Sequence, residues 1–508
     1  MFLVSAWLAL SAAQAQTTNY ALGTFTLLEG PAEGSDSVLL AVTPGTGTWT
    51  ATANSNWLHL NQSGIGSMNV IFSYDANSGA TRSGEISIAG LTVIVTQAGA
   101  TYVPVSTPTT VVGGLNQPQG VAVDGVGNVY IADTYNNAIE KWTAADNTLT
   151  TLVSSGLAEP QGVAVDSAGN VYIANTFIDA IQVWSPATSN VTTLLNSGLN
   201  DPVGVAVDGA GDVYIANTGN GEIMEWKATD RNVTILVSGI EYPAGVAVDL
   251  TSNVYFTAGI LYEWTAANAM VTGTGATLIL YPLGVAVDGS GNIYTARSAV
   301  EEWVAANNTI STLGAAEVVN AFDVAVDANN NVYIADAGND AIEELPHAFL
   351  DPTFKVENAT AGSDSLPAVL PVTANLLPPF APISDQPWLT ITGLTNGVVT
   401  FAFAANNTGL GRVAHITLLG QAIPIIQVFL SSPPVLTALP MQTSGVFQFA
   451  FADTQNSTFT VLSTSNLSSP LSNWAVTGTA SNIAPNLFQF TDTNPATDLQ
   501  RYYYLRSP

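Results

Sequence analysis

The chain has 508 residues, of which 47% are hydrophobic and only 9% are charged. Its 38 acidic residues outnumber its 9 lysines and arginines, and the resulting net charge of −29 disfavours binding to nucleic acid or anionic lipid. Cysteine is absent, which excludes disulfides, thiolate zinc sites and cysteine nucleophiles.

The first residues form an apolar run, MFLVSAWLALSAAQA, that ends in the pattern Ala13-Gln14-Ala15. This pattern is typical of a secretory signal peptide, so we expect residues 1–15 to be removed and the protein to be secreted or displayed at the cell surface. The run lacks the basic residue with which such signals begin, so the true translation start is expected upstream. A buried N-terminal strand is the alternative. No other apolar run is long enough for a membrane helix, so no membrane insertion is expected.

Residues 24–98 have the short alternating segments of an all-β unit. Within them Trp57 in NWLHL, Asn77 and Arg82 in NSGATRSG, and Gln97 in VIVTQ resemble the BACON domain. The resemblance implies an immunoglobulin-like β-sandwich, and an association with carbohydrate systems. We interpret Trp57 as a core residue and expect Arg82 to bond turn carbonyls. A sugar site on these two residues is the alternative.

A segment of about 40 residues then recurs six times. PQGVAVDGVGNVYIADTYNNAIEKW, at 118–142, returns with few changes at 160–184 and 202–226. Each copy has four short apolar segments separated by turns rich in Gly and Asn, which is typical of a propeller blade. The pattern resembles the NHL repeat and implies a six-bladed β-propeller over residues 109–347. The recurring aspartates are Asp124, Asp166, Asp208, Asp249, Asp288 and Asp327.

Two further features of the repeats concern architecture. TTVVGGL, at 109–115, resembles the outermost strand of a blade, and the last copy ends without one, so we expect 109–115 to complete the sixth blade and close the ring. A tryptophan recurs in the third strand of five copies, and packing between blades is favoured over a sugar platform. These tryptophans are Trp142, Trp184, Trp226, Trp264 and Trp303.

Two more β modules follow the repeats. Residues 351–430 resemble a second, weaker BACON domain, with Trp388 in PWLTI, Arg412 and Gln427. Residues 436–508 form a last β module of undefined role. The expected fold class is therefore all-β: a six-bladed β-propeller with flanking immunoglobulin-like β-sandwich modules.

The search for chemistry begins at the propeller axis, where the residue after proline in P-x-G should point. These positions hold two amides and four apolar groups, which do not make a calcium site. They predict a plugged axis and no catalytic or metal-binding residue. The six residues are Gln119, Gln161, Val203, Ala244, Leu283 and Phe322.

Propeller lyases and gluconolactonase-like propellers use His, Glu, Asn or Asp around the axis, generally with a metal. This chain has three histidines, His59, His347 and His415, and only His347 belongs to the propeller. That argues against a histidine-dependent lyase. The Asp-Gly-Asn turns lack the density of acids of a calcium loop, so we interpret their aspartates as turn caps.

A candidate binding surface lies on the hairpins between the second and third strands. These hairpins are long in repeats one, two, three and six, and shorter in repeats four and five, so the ring should have one low side. Loops on a rigid scaffold often carry binding residues, although these hairpins could simply be solvated turns. The candidate residues are Tyr135, Asn136, Asn137, Phe177, Ile178, Asp179, Asn220 and Asp340.

The leading hypothesis is a secreted, non-catalytic binding or scaffold protein that recognises an extracellular protein or glycan. It is expected to be a monomer without cofactor. Between residues 109 and 347 only 4 basic residues face 26 acidic ones, so nucleic acid is not expected as a partner. The alternatives are a metal-dependent propeller hydrolase or lyase, gluconolactonase-like or virginiamycin B lyase-like, and a structural extracellular spacer.

Overall fold

The computed structural model is all-β. It describes residues 17–273, 282–314, 317–429, 437–438, 447–452, 458–484, 487–492 and 501–506. The expected signal peptide at 1–15 lies outside the described residues. The described residues form two compact units. Those of the first unit lie within 17–357, 361–404 and 413–426, and those of the second lie within 358–360, 405–412 and 427–506.

The first module of the larger unit consists of two sheets that share one apolar core. Its strands are β1 (Asn19–Leu22), β2 (Thr26–Glu29), β3 (Gly34–Thr43), β4 (Thr48–Ala53), β5 (Leu58–His59), β6 (Asn61–Ile65), β7 (Met68–Tyr74), β8 (Arg82–Ile88) and β9 (Leu91–Gln97). The sheets have the orders β1-β3-β7-β5 and β2-β9-β8-β4-β6. Alternate residues of β8 and β9 are buried, among them Ile86, Ile88, Val93 and Val95, because successive side chains of a strand point to opposite faces.

Six four-stranded antiparallel sheets follow. Two short strands come first, β10 (Val103–Pro104) and β11 (Thr109–Gly113). Blade one contains β12 (Pro118–Val123), β13 (Val129–Asp133), β14 (Ala138–Thr143) and β15 (Thr148–Val153). Blade two contains β16 (Pro160–Val165), β17 (Val171–Asn175), β18 (Ala180–Ser185) and β19 (Asn190–Leu195). Blade three contains β20 (Pro202–Val207), β21 (Val213–Asn217), β22 (Glu222–Trp226) and β23 (Val233–Ser238).

The second half of the ring repeats this arrangement. Blade four contains β24 (Val246–Val248), β25 (Val254–Ala258), β26 (Ile260–Thr265) and β27 (Met270–Gly273). Blade five contains β28 (Gly284–Val287), β29 (Ile293–Ala296), β30 (Val300–Val304) and β31 (Thr309–Leu313). Blade six contains β32 (Ala321–Val326), β33 (Val332–Asp336) and β34 (Ala341–Leu345).

The ring closes in the predicted way. β11 pairs with β34 as the outermost strand of blade six. The innermost strands of successive blades pack side by side, and β32 of blade six packs against β12 of blade one. The first and last segments of the repeat region therefore share one sheet, and no blade lacks its fourth strand.

The recurring aspartates cap the turn between the first and second strands, as predicted. Asp124 Oδ1 accepts hydrogen bonds from the backbone N–H groups of Val126 (3.1 Å) and Asn128 (2.9 Å). Its Oδ2 accepts hydrogen bonds from the Asn128 amide (2.9 Å) and the Tyr130 hydroxyl (3.2 Å). The backbone bonds recur in all six blades, at Asp166, Asp208, Asp249, Asp288 and Asp327.

The repeated tryptophans pack within the blades and between them, as predicted. Trp142 is only 1% exposed. The other four are half-buried against the apolar layers between neighbouring blades, and they are Trp184, Trp226, Trp264 and Trp303. Their position in the structure gives no open platform for a sugar ring.

A further module follows blade six. Its strands are β35 (Phe349–Leu350), which pairs with β10, and β36 (Lys355–Glu357), β37 (Gly362–Ser365), β38 (Ile383–Ser384), β39 (Leu389–Thr395), β40 (Val398–Phe403), β41 (Arg412–Leu418) and β42 (Gln421–Gln427). They form the sheets β36-β42-β41-β38 and β37-β40-β39. Its buried Val369, Phe401 and Ile416 continue the core of blade six, and Trp388 packs against the same core.

The smaller unit carries the remaining strands. They are β43 (Thr437–Ala438), β44 (Phe447–Ala452), β45 (Thr460–Thr464), β46 (Ala475–Thr479), β47 (Ser481–Ala484), β48 (Leu487–Asp492) and β49 (Tyr502–Arg506), in the sheets β43-β44-β48-β47 and β46-β45-β49. Its core is aromatic, with Phe449, Phe451, Phe459, Phe488 and Phe490 in contact.

Candidate functional site

An open cavity lies on the propeller axis, so the predicted plug is wrong. The cavity has a volume of about 290 Å³. All six predicted positions are in its wall: Gln119, Gln161, Val203, Ala244, Leu283 and Phe322.

The cavity also contains a carboxylate that the repeat pattern does not predict. The first five repeats place glycine after the axis-facing residue, because the next blade comes too close for a side chain; at Gly120, a Cβ would overlap the carbonyl oxygen of Gln161. The sixth repeat reads AFDVAVD and places Asp323 there. Asp323 Oδ2 accepts a hydrogen bond from the backbone N–H of Val121 (3.1 Å), where the last blade meets the first.

Asp323 has an unusual protonation equilibrium. Its side chain is half-buried and its exposed part faces the cavity. Burial raises its pKa to about 7, although hydrogen bonds from the N–H groups of Val121 and Val324 lower it. Both protonation states are therefore populated at neutral pH, and the group can either accept or donate a hydrogen bond. The replacement of the repeated glycine was the sequence signal for this residue.

A second residue missed by the sequence analysis is Tyr242, at the mouth of the cavity. It is 79% exposed and has a backbone φ of +50°. The residues at the same place in blades one to three, Gln117, Glu159 and Asp201, also have positive φ. A bulky tyrosine is rare in this left-handed region, and such strain is concentrated at functional sites. The sequence signal was a tyrosine before the proline where the earlier repeats have polar residues.

The predicted hairpins lie at the same end of the ring as the cavity, which we call the cavity face. Pro118, beside Gln119, pairs with Asp133 at the start of the first hairpin, and Thr218 of the third hairpin lines the cavity. Blades one to three carry single-turn 3-10 helices in these hairpins, Thr134–Asn136, Thr176–Ile178 and Thr218–Asn220. In blade four Gly259 alone joins the two strands, so the hairpin is shorter, as predicted.

Most polar residues of the predicted binding set stabilise the ring. Asn137 accepts a hydrogen bond from the backbone N–H of Glu159 (2.7 Å) in the entry loop of the next blade. Asp179 accepts a hydrogen bond from the backbone N–H of Asp201 (2.7 Å), and Asp340 accepts one from the backbone N–H of Gln117 (2.9 Å). Asn136 donates to Asp133 (2.8 Å), and Asn220 donates to the carbonyl oxygen of Gly198 (3.1 Å). These contacts join blade one to blade two, blade two to blade three and blade six to blade one, or they fix a hairpin.

The two aromatic members of the set have different surroundings. Tyr135 is 49% exposed and Phe177 is 68% exposed. They stand on adjacent hairpins, and Ile178 beside them is also exposed. Apolar side chains exposed together at one end of a rigid ring are suited to contact with a partner.

The donor set at the axis does not fit a calcium or zinc ion. Calcium takes six to eight oxygen ligands, and this cavity offers one carboxylate and two side-chain amides. The three histidines lie elsewhere: His59 contacts Asp75 (2.9 Å), His415 contacts Asp385 (2.8 Å) and His347 contacts the carbonyl oxygen of Leu28 (3.0 Å). In the part of the chain that the structure describes, no three His, Asp or Glu side chains are placed to hold a metal.

The residues that carry the BACON resemblance form a structural cluster. Arg82 donates to Gln97 Oε1 (2.9 Å) and to the carbonyl oxygens of Asp75 (2.6 Å) and Ala76 (3.2 Å). Its guanidinium lies 4.4 Å from the ring centre of Trp57. Arg82 therefore bonds turn carbonyls, as expected, and its cation–π contact covers one face of the tryptophan.

Comparisons with known families agree with two of the resemblances. An NHL repeat matches residues 115–142, and BACON, described as "Putative binding domain, N-terminal", matches residues 47–98. The chain thus contains an NHL repeat and a BACON domain. No curated protein matches it. Within the described residues, no helix has the length and apolar character needed to cross a bilayer.

Several solved structures are similar to parts of the chain. A protein of unknown function from Bacteroides thetaiotaomicron is 16% identical with a TM-score of 0.43, over 65% of this chain and 98% of that one. Virginiamycin B lyase from Staphylococcus aureus is 15% identical with a TM-score of 0.35, over 48% and 88%. Regucalcin, a calcium-binding protein from Agrobacterium tumefaciens, is 17% identical with a TM-score of 0.39, over 47% and 93%.

Proposed function

We propose that the chain is a secreted, non-catalytic binding protein whose cavity face recognises an extracellular protein or glycan. The observation that carries this proposal is the combination of an open axial cavity with exposed aromatic residues at the same end of the ring. Tyr242 stands at the mouth, and Tyr135 and Phe177 stand on the hairpins. Aromatic side chains supply large contact areas at binding sites with little loss of conformational entropy.

The contents of the cavity favour binding over catalysis. Among the described residues that form the wall of the cavity, Asp323 is the single carboxylate and no histidine accompanies it. Hydrolases and lyases combine a base with a nucleophile, a second acid or a metal. One carboxylate beside Gln119 and Gln161 can instead fix the orientation of a polar group, while Val203, Leu283 and Phe322 contact the apolar part of a ligand.

The test is a pair of double variants of the full chain. Tyr135→Ala with Phe177→Ala should fold normally, because both residues are exposed, and should weaken ligand capture by about tenfold or more. Val233→Ala with Ile235→Ala is the matched control, because these exposed apolar residues lie on β23, the outermost strand of blade three.

Binding would be measured on a glycan array and by pull-down from extracellular extract of the host. Equal capture by the parent and by the Tyr135 and Phe177 variant would contradict the proposal. Capture of nothing by the parent would favour the spacer hypothesis. Turnover of a lactone or a cyclic depsipeptide that Asp323→Asn abolishes would favour the enzyme hypothesis.

A further inference from the structure

A second cavity lies beside blade six, away from the axis. We call it the lateral cavity; its volume is about 460 Å³. Its wall is formed by blade six, by the turn at 125–127 of blade one, and by the loops at 371–377 and 394–397. Of the described residues in this wall, the acidic ones are Asp327 and Glu344, and none is a lysine, arginine or histidine.

Glu344 is the unusual group in this wall. It is 2% exposed, and its Oε2 atom has no hydrogen-bond partner among the residues that the structure describes. Burial and the charge of Asp327 raise its pKa to about 8, and a hydrogen bond with Tyr333 lowers it. The residue opposite on β11 is Thr109, which carries no charge. The blade-one turn and the two loops contribute no titratable side chain. A buried acceptor without a donor is uncommon in folded proteins.

Blade three shows how one copy of the repeat satisfies this position with a cation of its own. Glu225 lies opposite Tyr214, just as Glu344 lies opposite Tyr333. Two residues after Glu225, the ammonium of Lys227 lies 2.9 Å from Glu225 Oε1 and 3.6 Å from Asp212 Oδ2.

Blade six has the acid without the lysine, as do blades four and five. The residue two positions after Glu344 is Pro346, and the residue corresponding to Asp212 is Asn331. Glu344, Asn331 and Pro346 all line the lateral cavity. The space that a lysine side chain occupies in blade three is therefore bordered, in blade six, by a cavity.

We infer that the lateral cavity binds a primary ammonium group, which pairs with Glu344 as Lys227 pairs with Glu225. The ammonium is carried either by a small alkylamine or by the lysine side chain of a peptide. A primary ammonium offers three donors. With the carboxyl group of Glu344 turned toward the cavity, the ammonium can pair with it, and it can share the side-chain carbonyl oxygen of Asn331, which already accepts a hydrogen bond from the backbone N–H of His347 (2.9 Å). The net charge of −29 raises the local concentration of any cation.

Binding should be coupled to the release of one proton. The ammonium pairs with the ionised form of Glu344, so at lower pH the carboxyl proton must leave for solvent as the ligand enters. An alkylammonium keeps its own charge up to about pH 10. Affinity should therefore rise roughly tenfold per pH unit up to about pH 8 and then level off.

The experiment is calorimetric titration of the full chain at pH 6, 7, 8 and 9. The two probes are n-butylammonium chloride and a short peptide with one internal lysine and blocked ends. Butanol and the same peptide with norleucine in place of lysine are the uncharged controls. Tighter binding of the peptide assigns a protein lysine as the source, and equal binding assigns a small amine.

Glu344→Gln should retain the fold, because it preserves the shape of the side chain, and should lose at least tenfold in affinity together with the pH dependence. Glu225→Gln is the matched variant. It removes the same acid from blade three, where Lys227 already occupies the site, and should leave amine binding unchanged. If neither probe binds, or if the parent and Glu344→Gln bind the amine equally at every pH, the inference is wrong.

Discussion

Blades three and six have the same frame but differ at several repeated positions, three of which concern the candidate sites or the core. Both have four strands and an aspartate that caps the first turn. Blade three has Gly204, Trp226 and Lys227 where blade six has Asp323, Leu345 and Pro346. Two of the residues specific to blade six line a cavity. The comparison indicates that copied residues build the ring, whereas departures from the copy mark the candidate sites.

The blades also differ in what covers them. The first module packs on the turn of blade five. There the Ser37 hydroxyl donates to the carbonyl oxygen of Ser290 (2.7 Å), and the backbone N–H of Leu39 donates to the carbonyl oxygen of Gly289 (3.1 Å). This cover buries the capping aspartate Asp288, and burial with the nearby charge of Asp36 raises its pKa to about 7. The same repeated turn thus acquires different electrostatics from its neighbours.

The largest loss of stability is expected when β11 is deleted, the strand from before blade one that completes blade six. Deleting residues 109–113 removes β11, exposes the edge of β34 and loses the buried side chains Val111 and Val112. We expect Tm to fall by roughly 10 °C or more, because an open ring exposes its seam. The control truncation removes residues 17–98, which exposes the turn of blade five but leaves all four strands of every blade in place. Calorimetry would contradict the expectation if the two truncations melted together.

The next largest loss of stability is expected at the position of the repeated tryptophan, in the third strand of each blade. Trp142→Ala should cost about 3–5 kcal/mol, because this side chain is fully buried in blade one. The reverse change in blade six, Leu345→Trp, should cost about 1–3 kcal/mol, because Leu345 is 6% exposed in a packed core. Urea unfolding measures both. A more stable Leu345→Trp protein would show that blade six retains room for the tryptophan of the repeat.

The predictability of the fold follows from repetition. Six copies of one pattern specify strand order, turn caps and inter-blade packing, and the match between 109–115 and an outermost strand predicts the closure. The second BACON-like segment is weaker, yet Arg412 donates to Gln427 Oε1 (2.8 Å) as Arg82 does to Gln97 (2.9 Å). The side-chain amide of Asn406, which the sequence analysis missed, donates to the carbonyl oxygen of Leu410 (2.8 Å). The amide of Asn77 donates to the carbonyl oxygen of Ala80 (2.9 Å) in a similar way.

The candidate sites were less predictable, because they depend on space and on long-range neighbours. The predicted plug failed since side-chain type at the axis does not give the diameter of the ring. Asn137 and Asp179 were assigned to a binding surface, but their partners lie in the next blade, which the pattern within one repeat does not show. Asp323 and Tyr242 were visible as departures from the repeat, and a position-by-position comparison of the copies would have found them.

Stability should depend on pH through two acids of blade six, Asp323 and Glu344. Burial raises the pKa of Asp323 from an ordinary 3.8 to about 7 and that of Glu344 from 4.5 to about 8. The folded state therefore holds more protons than the unfolded state between about pH 4 and pH 8. Stability from these groups is complete below about pH 4 and is lost as the pH rises through 7 and 8. Urea unfolding across this range should show a falling free energy, and Asp323→Asn with Glu344→Gln should reduce the slope.

The matched control for that slope is Glu33→Gln, which changes an exposed acid of the first module and should leave the pH dependence as in the parent. Some slope should remain in the double variant, because Asp288 also titrates near pH 7. An unchanged slope in the double variant would mean that the two blade-six acids bind protons equally in both states.

The smallest effect concerns Tyr242, at the mouth of the axial cavity. Its φ of +50° is a conformation that asparagine adopts more readily than tyrosine, and its side chain is 79% exposed. Tyr242→Asn should therefore stabilise the fold by about 1 kcal/mol through release of backbone strain, and it should weaken ligand capture at the cavity face. Tyr135→Ala is the matched variant, since it removes an exposed tyrosine from a hairpin turn without a positive φ. Thermal melting and capture assays on the two variants would separate backbone strain from ligand contact. If Tyr242→Asn gained stability without losing ligand capture, Tyr242 would have a strained backbone but no role in binding.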